Sequence, residues 1–167
     1  MIRQALLAPI APIALLLAAS AAPTAAPPSG GVDLVLSKVG TQVGVPCAVY
    51  SQVPDFPWVT AGETWLIQAF AAPNTPHFVL LGPPPTSHTP IPGIENLLQI
   101  HDPVSVIFLG MTGPLDSTSF CGQGHTDYPI TIPVGPSSGA DFAMQLVGIS
   151  STTGNWAFSK QHWITYL

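Results

Sequence analysis

Three features of the sequence predict an all-β fold: an antiparallel β-sandwich, immunoglobulin-like or jelly-roll-like, with about 8–10 short strands. The 167 residues include 20 prolines and 15 glycines, and only 7% of them are charged. Frequent Pro and Gly leave little room for helices, because both residues interrupt a helical run. The segments between them are short and apolar, and several alternate with the period of a strand. Turn residues recur every 8–12 positions or so, which is typical of a sandwich or a barrel.

The N-terminal segment predicts export. Arg3 supplies a positive start, Ala5 to Leu17 are almost entirely apolar, and Ala19-Ser20-Ala21 fits the small-x-small cleavage site of a signal peptide. The apolar run is shorter than the roughly 20 residues that a membrane-spanning helix needs. We therefore predict a signal peptide at 1–21, a flexible leader at 22–31 and a single β-sandwich domain at 32–167. The product is expected to be secreted or held at the cell surface, and not to span a membrane after signal removal.

Each remaining segment of strand length lies between Pro or Gly clusters. Residues 63–70 and 141–149 alternate between apolar side chains on one face and other residues on the opposite face, and therefore predict strands. Ile130-Thr131-Ile132 lies between two prolines, which suits an edge strand. The Pro-rich run at 82–92 predicts a stiff crossover between the two sheets. In chain order, strands are predicted at 32–39, 43–50, 63–70, 77–81, 97–101, 104–109, 130–132, 141–149, 156–159 and 162–166.

The charge balance excludes two classes of partner. Three basic residues against eight acids give a net charge of −5. Without the signal peptide only Lys38 and Lys160 remain against the eight acids, and the balance becomes 2 − 8 = −6. Nucleic acids and anionic membranes are bound by clusters of Lys and Arg. We expect neither as a partner, and the scarcity of charge favours surface contact over acid–base catalysis.

Cys47 and Cys121 are the two cysteines, 74 positions apart. In an exported protein such a pair predicts a disulfide, which would contribute about 4 kcal/mol in the chain-entropy model. A second interpretation is a copper site, since Cys121 and His125 share a Gly-rich loop and His77 lies upstream. No methionine follows within that loop, so we assign no metal and no cofactor. The five histidines show no regular ligand spacing and the acids are scattered, so we also assign no catalytic residue. A small cupredoxin-like module remains an alternative.

Two tryptophans are candidates for stacking on a ligand. Trp58 lies between Pro57 and Val59, and Trp156 adjoins the turn at Gly154-Asn155. Both positions are expected near the surface, where an aromatic ring can stack on a sugar or anchor a protein. A carbohydrate-binding domain is therefore a further alternative.

Residues 60–167 resemble a small β-domain that recurs, often at the C-terminus, in exported proteins of planctomycete-type bacteria. The resemblance implies a β-sandwich of unassigned role, a surface or extracellular accessory module without catalytic residues. Residues 32–57, including Cys47, depart from the family pattern. The matching segments are Gly62 to Ala69, Ala72-Pro73, Phe78 to Gly82, Ile91-Pro92-Gly93, Leu97 to Ile100, Ile132-Pro133, Gly139 to Phe142 with Gln145, and Ala157-Phe158-Ser159.

These observations predict a secreted, non-enzymatic sandwich that contacts an unknown extracellular protein or glycan in adhesion or assembly.

Overall fold

The computed structural model describes residues 31–48, 50–115, 117, 121–134 and 139–167. The predicted signal peptide and nearly all of the predicted leader lie outside the described residues. These ranges contain twelve strands and no helix, and thus no helix long and apolar enough to cross a membrane. The strands are β1 (Asp33–Lys38), β2 (Thr41–Val43), β3 (Trp58–Val59), β4 (Thr64–Ala71), β5 (Pro76–Gly82), β6 (Thr89–Pro90), β7 (Leu97–Leu98), β8 (Ser105–Met111), β9 (Gly124–Thr131), β10 (Asp141–Ile149), β11 (Trp156–Phe158) and β12 (His162–Tyr166).

Two sheets pack face to face, which confirms the predicted β-sandwich. The first sheet has the order β2-β1-β4-β9, and the second has the order β3-β12-β10-β5-β8 with β11 beside β10. Neighbouring strands are antiparallel, except that β3 runs parallel to β12. The small β6-β7 pair stands apart from both sheets.

The main core lies between the inner faces of the two sheets. Trp65, Ile67 and Ala69 are buried on one face of β4, as their alternation predicts. Met144 and Leu146 of β10 face them from the second sheet, while Phe142 is partly buried against the same cluster. Both strands lie inside their sheets, so each buries its alternating apolar residues in this core.

The outer face of the second sheet is also buried at its centre. Residues 83–104 leave β5, fold over that face and return to β8 in the same sheet. The prediction that the Pro-rich run links two sheets is therefore wrong. A second apolar cluster forms under this covering segment, with Leu80, Ala143, Val147 and Phe158 at its centre.

A fully buried glutamine joins the covering segment to the sheet. The Gln145 side chain accepts a hydrogen bond from Gln99 N at 2.9 Å. Its amide donates to Leu97 O at 3.0 Å and to Ser159 O at 2.8 Å. The oxygen and the nitrogen of the Gln145 side chain therefore both have hydrogen-bond partners, as a buried polar group requires. The outer face of β10 can thus be buried at this position as well as its inner face.

Three predicted strands differ from the structure. Of the strand predicted at 97–101, only Leu97 and Leu98 form a strand, β7, which pairs with β6 outside the two main sheets. The described residues of 43–50 do not form the predicted strand: β2 ends at Val43, and Gly44 and Cys47 take positive φ angles of 82° and 65° that turn the chain back. Ile130 and Thr131 of the segment predicted at 130–132 are the end of β9, which pairs with β4 over eight residues from Gly124 onward. Pro129 is tolerated because β9 is an edge strand, where one N–H faces away from the sheet.

A tyrosine closes the sandwich where β8 and β9 meet. The Tyr128 hydroxyl of β9 forms a 2.7 Å hydrogen bond with Nε2 of the fully buried His77 on β5. To reach it, the hydroxyl passes directly over Gly110 of β8, which pairs with His77. The Tyr128 ring stacks on Phe108 at 4.5 Å. Burial lowers the pKa of His77, so the imidazole is neutral at pH 7.

Candidate functional site

Three aromatic side chains lie together on the outer face of the second sheet, at its β3 edge. Phe56 is 59% exposed and Trp58 is 65% exposed, while Trp163 beside them is half-buried. The ring centroids of Phe56 and Trp163 are 5.8 Å apart, and the ring planes are inclined by 37°. We refer to Phe56, Trp58 and Trp163 as the aromatic strip.

Strand alternation puts these rings on the outer face. Trp58 pairs with Thr165 of β12, and the next pair, Val59 with Tyr166, is buried in the main core. Trp58 must then point away from the core, because successive side chains of a strand face opposite sides. Phe56 lies two residues earlier in extended chain, about 6.6 Å along the same side.

The segment that carries Phe56 and Trp58 is attached to β12 by backbone hydrogen bonds. Trp163 N donates to Asp55 O at 2.7 Å, and Thr165 N donates to Pro57 O at 3.1 Å. Leu167 N donates to Val59 O at 2.9 Å. This ladder fixes the register of the strip, and prolines suit the segment because it forms an edge of the sheet.

An ion pair lies at the base of the same segment. Lys160 Nζ is 2.6 Å from Asp55 Oδ1. The other carboxylate oxygen, Oδ2, faces Nδ1 of the buried His162 at 3.6 Å, while His162 Nε2 donates to Leu34 O at 2.6 Å. Burial lowers the pKa of His162 despite the nearby carboxylate, so its ring is neutral at pH 7.

The two tryptophans chosen from the sequence occupy different environments. Trp58 is in the aromatic strip. Trp156 of β11 is half-buried and packs against Phe78, with ring centroids 6.0 Å apart, as part of the second apolar cluster. Of the two, Trp58 therefore presents the greater ring surface to a ligand.

The predicted disulfide between Cys47 and Cys121 is confirmed, with the two Cα atoms 5.7 Å apart. A buried carboxylate lies beside it: Asp33 accepts hydrogen bonds from Cys47 N at 2.8 Å and from Gln123 Nε2 at 2.7 Å. Burial raises the pKa of Asp33 to about 6, and these hydrogen bonds offset part of the rise. The bridge and Asp33 together hold the turn at 44–48 against the first sheet.

The candidate copper ligands are not brought together as a site. Cys121 is bonded to Cys47 and offers no thiolate, and Nε2 of His77 is engaged by Tyr128. His125 stacks on Phe70 at 5.3 Å on the outer face of the first sheet. Among the described residues, no three His, Cys, Asp or Glu side chains are grouped so that they could hold a metal ion.

Sequence reasoning missed two members of the strip, Phe56 and Trp163. The signal for Phe56 is present in Phe56-Pro57-Trp58, where two aromatic residues two positions apart would share one face of an extended segment. Trp163 alternates with the buried His162 and Ile164 on β12. What the sequence could not supply is the parallel pairing of β3 with β12, which brings the two pieces together.

Comparison with known proteins shows that the fold of this chain is similar to that of several solved structures. No protein-family model and no curated protein matches the sequence. Similar solved structures include the cellulose-active lytic polysaccharide monooxygenase CelS2 in complex with copper (22% identity, TM-score 0.42, 67% of this chain and 53% of that one). Another is a family AA10 lytic polysaccharide monooxygenase from Streptomyces lividans (15% identity, TM-score 0.35, 68% of this chain and 59% of that one). A third is a chitin-binding domain from Burkholderia pseudomallei (12% identity, TM-score 0.38, 68% of this chain and 57% of that one).

These structures correct one prediction from the sequence. The chain was expected not to be an enzyme, yet two of the three similar structures are monooxygenases. That exclusion is therefore not retained. This chain covers less than two thirds of each of the three structures, and the TM-scores are below 0.5. These similarities therefore concern the fold.

Proposed function

We propose that this protein binds polysaccharide outside the cell through the aromatic strip. The observation that carries the proposal is the exposure of Phe56 and Trp58, each more than half open to solvent on the same sheet face as Trp163. Contiguous apolar surface of this kind on a soluble protein is commonly a binding site. The C–H face of a sugar ring is apolar, and it packs well on the electron-rich face of an aromatic ring.

The size of the strip favours sugar over protein as its ligand. Phe and Trp bury 150–250 Å² each when covered completely, so the exposed parts of Phe56 and Trp58 offer roughly 250 Å². A stable protein interface needs about 800 Å² from each partner. A few sugar units of a polymer are sufficient to cover the rings. Many weak contacts along the polymer would then add to the affinity through repeated sites.

The disulfide supports the location. A Cys47–Cys121 bridge persists in oxidising compartments and is rare in the cytosol. Together with the signal peptide predicted at 1–21, it favours secretion or attachment at the cell surface. Structural polysaccharides are encountered there, and polysaccharide is what the similar cellulose-active enzyme and the chitin-binding domain act on or bind.

The proposal is tested by depletion from solution. The purified protein is mixed with a panel of insoluble polysaccharides, including cellulose, chitin and xylan, and the protein left in the supernatant is measured. We expect retention on at least one of them, and Trp58→Ala should weaken that retention about tenfold, equivalent to 1.4 kcal/mol. Retention on none of the panel, or equal retention of wild type and Trp58→Ala, would contradict the proposal.

A further inference from the structure

The charged side chains around the aromatic strip bear on which polysaccharide it accepts. The sequence has three basic residues, and two of them, Lys38 and Lys160, lie in the described ranges. Lys38 Nζ is 2.7 Å from Glu63 Oε1, and Lys160 Nζ is 2.6 Å from Asp55 Oδ1. Both lysines of the described ranges are therefore already in ion pairs. A carboxylated or sulfated sugar would have to break one of these ion pairs before its anionic group could pair with a lysine.

A carboxylate lies on the same face as the strip. Asp141 of β10 pairs with Thr165, which in turn pairs with Trp58, so the three side chains share the outer face. Asp141 is exposed, and its Oδ1 accepts a hydrogen bond from Thr165 Oγ1 at 2.8 Å. Two strand spacings separate Asp141 from Trp58, which corresponds to about 10 Å.

We infer that the aromatic strip selects uncharged polysaccharides and disfavours anionic ones. The inference rests on the function proposed above and adds the chemical class of the ligand. At about 10 Å, one charge in water repels another enough to change an equilibrium about twofold, and a polyanion brings several charges into range. The net charge of −5 adds to the repulsion. At 0.01 M salt the screening length is about 30 Å, so this effect is then fully expressed.

The test compares two soluble polymers that share the same cellulose backbone. Hydroxyethylcellulose is neutral and carboxymethylcellulose is anionic, and affinity for each is measured by tryptophan fluorescence or affinity electrophoresis at 0.01 M and 0.5 M salt. If cellulose is not retained in the panel above, the neutral and carboxymethylated forms of the polysaccharide that is retained take their place. We expect at least fivefold tighter binding of the neutral polymer at low salt, and a smaller difference at high salt.

Asp141→Asn provides the matched variant, since its amide oxygen can still accept the Thr165 hydrogen bond. It should tighten binding of the anionic polymer about twofold at low salt and leave the neutral polymer unchanged. Equal affinity of the wild type for both polymers at low salt would overturn the inference while leaving polysaccharide binding in place. Failure to bind any polymer, soluble or insoluble, would overturn the proposed function and this inference together.

Discussion

Lys160 Nζ lies 2.6 Å from Asp55 Oδ1, and this ion pair joins the residue before Phe56 to the chain just ahead of β12. Both side chains are about one quarter exposed, so the pair is only partly shielded from water. A pair of this kind contributes up to about 1 kcal/mol to stability. Its larger effect is expected on geometry, because Asp55 begins the segment that holds two of the three rings of the strip.

Replacing Lys160 with Met should therefore weaken polysaccharide binding about threefold, since the Asp55 carboxylate loses the cation that fixes it. Lys38→Met is the matched control: it removes the same charge from a pair of similar length on the first sheet, away from the strip. We expect the control to bind as the wild type does. Equal affinities of all three proteins would show that the ion pair does not position the strip.

Tyr128 and Gly110 should be energetically coupled. A methyl group added at Gly110 would overlap the Tyr128 hydroxyl, so Gly110→Ala should cost about 1–3 kcal/mol in free energy of unfolding. Tyr128→Phe leaves Nε2 of the buried His77 without its partner, at a similar cost. In the double variant the hydroxyl is gone, and the methyl group meets less obstruction. Urea unfolding of the four proteins should give a coupling of about 1 kcal/mol or more, whereas strictly additive costs would contradict the arrangement.

Asp33 should make stability depend on pH between about 4 and 6. Its pKa is raised in the folded protein from an ordinary 3.8 to about 6, mainly by burial. The folded state then binds more protons than the unfolded state in this range, so stability falls as pH rises through it. The rise in pKa corresponds to about 3 kcal/mol.

The measurement is the free energy of unfolding of wild type and Asp33→Asn at pH 3.5 and 7.5. The wild type should lose stability relative to the variant by about 3 kcal/mol between the two pH values. Comparing the two proteins removes the effect of His77 and His162. Burial lowers the pKa of both histidines, so they add acid sensitivity below about pH 6.5 in either protein. A difference that does not change with pH would contradict the burial of an ionisable Asp33.

Loss of the Cys47–Cys121 bridge should destabilise the fold by about 4 kcal/mol, because the bridge closes a long loop of the unfolded chain. Unfolding of the wild type is compared with that of a Cys47→Ala/Cys121→Ala double variant, both without reductant. Adding dithiothreitol should lower the stability of the wild type and leave the variant unchanged. Identical unfolding curves in the absence of reductant would count against this role of the bridge.

Much of the fold could be predicted because it depends on local sequence. The alternation in β4 specifies a strand and its inner face, and the residues of β12 indicate a strand. β9 was largely missed, since its polar residues and Pro129 are typical of a turn until an eight-residue partner strand stabilises them. The strand predicted at 43–50 was wrong in the opposite sense, because a strand was expected where the chain turns. The apolar character of these residues comes with Gly44, Pro46 and a cysteine whose partner is 74 positions away, and these turn the chain instead of extending it.

The candidate site was predictable only in part. Trp58 was found from its position between Pro57 and Val59. Phe56 and Trp163 became part of the same surface through one parallel strand pair, between residues 107 positions apart, which no local pattern encodes. Trp156 shows the converse: it adjoins a turn, yet the covering segment at 83–104 brings a second apolar cluster around it.

The most direct test of polysaccharide binding by the aromatic strip is a comparison of adsorption isotherms. Wild type, Phe56→Ala/Trp58→Ala and Leu109→Ala are measured on the polysaccharide that retains the wild type. Leu109 is the matched control, an equally exposed apolar residue on the same sheet at the opposite edge, on β8. All three proteins should unfold at similar temperatures, because exposed side chains contribute little to stability. We predict that the double variant loses adsorption by more than tenfold while Leu109→Ala adsorbs as the wild type does; undiminished adsorption of the double variant would contradict the assignment of the strip as the binding site.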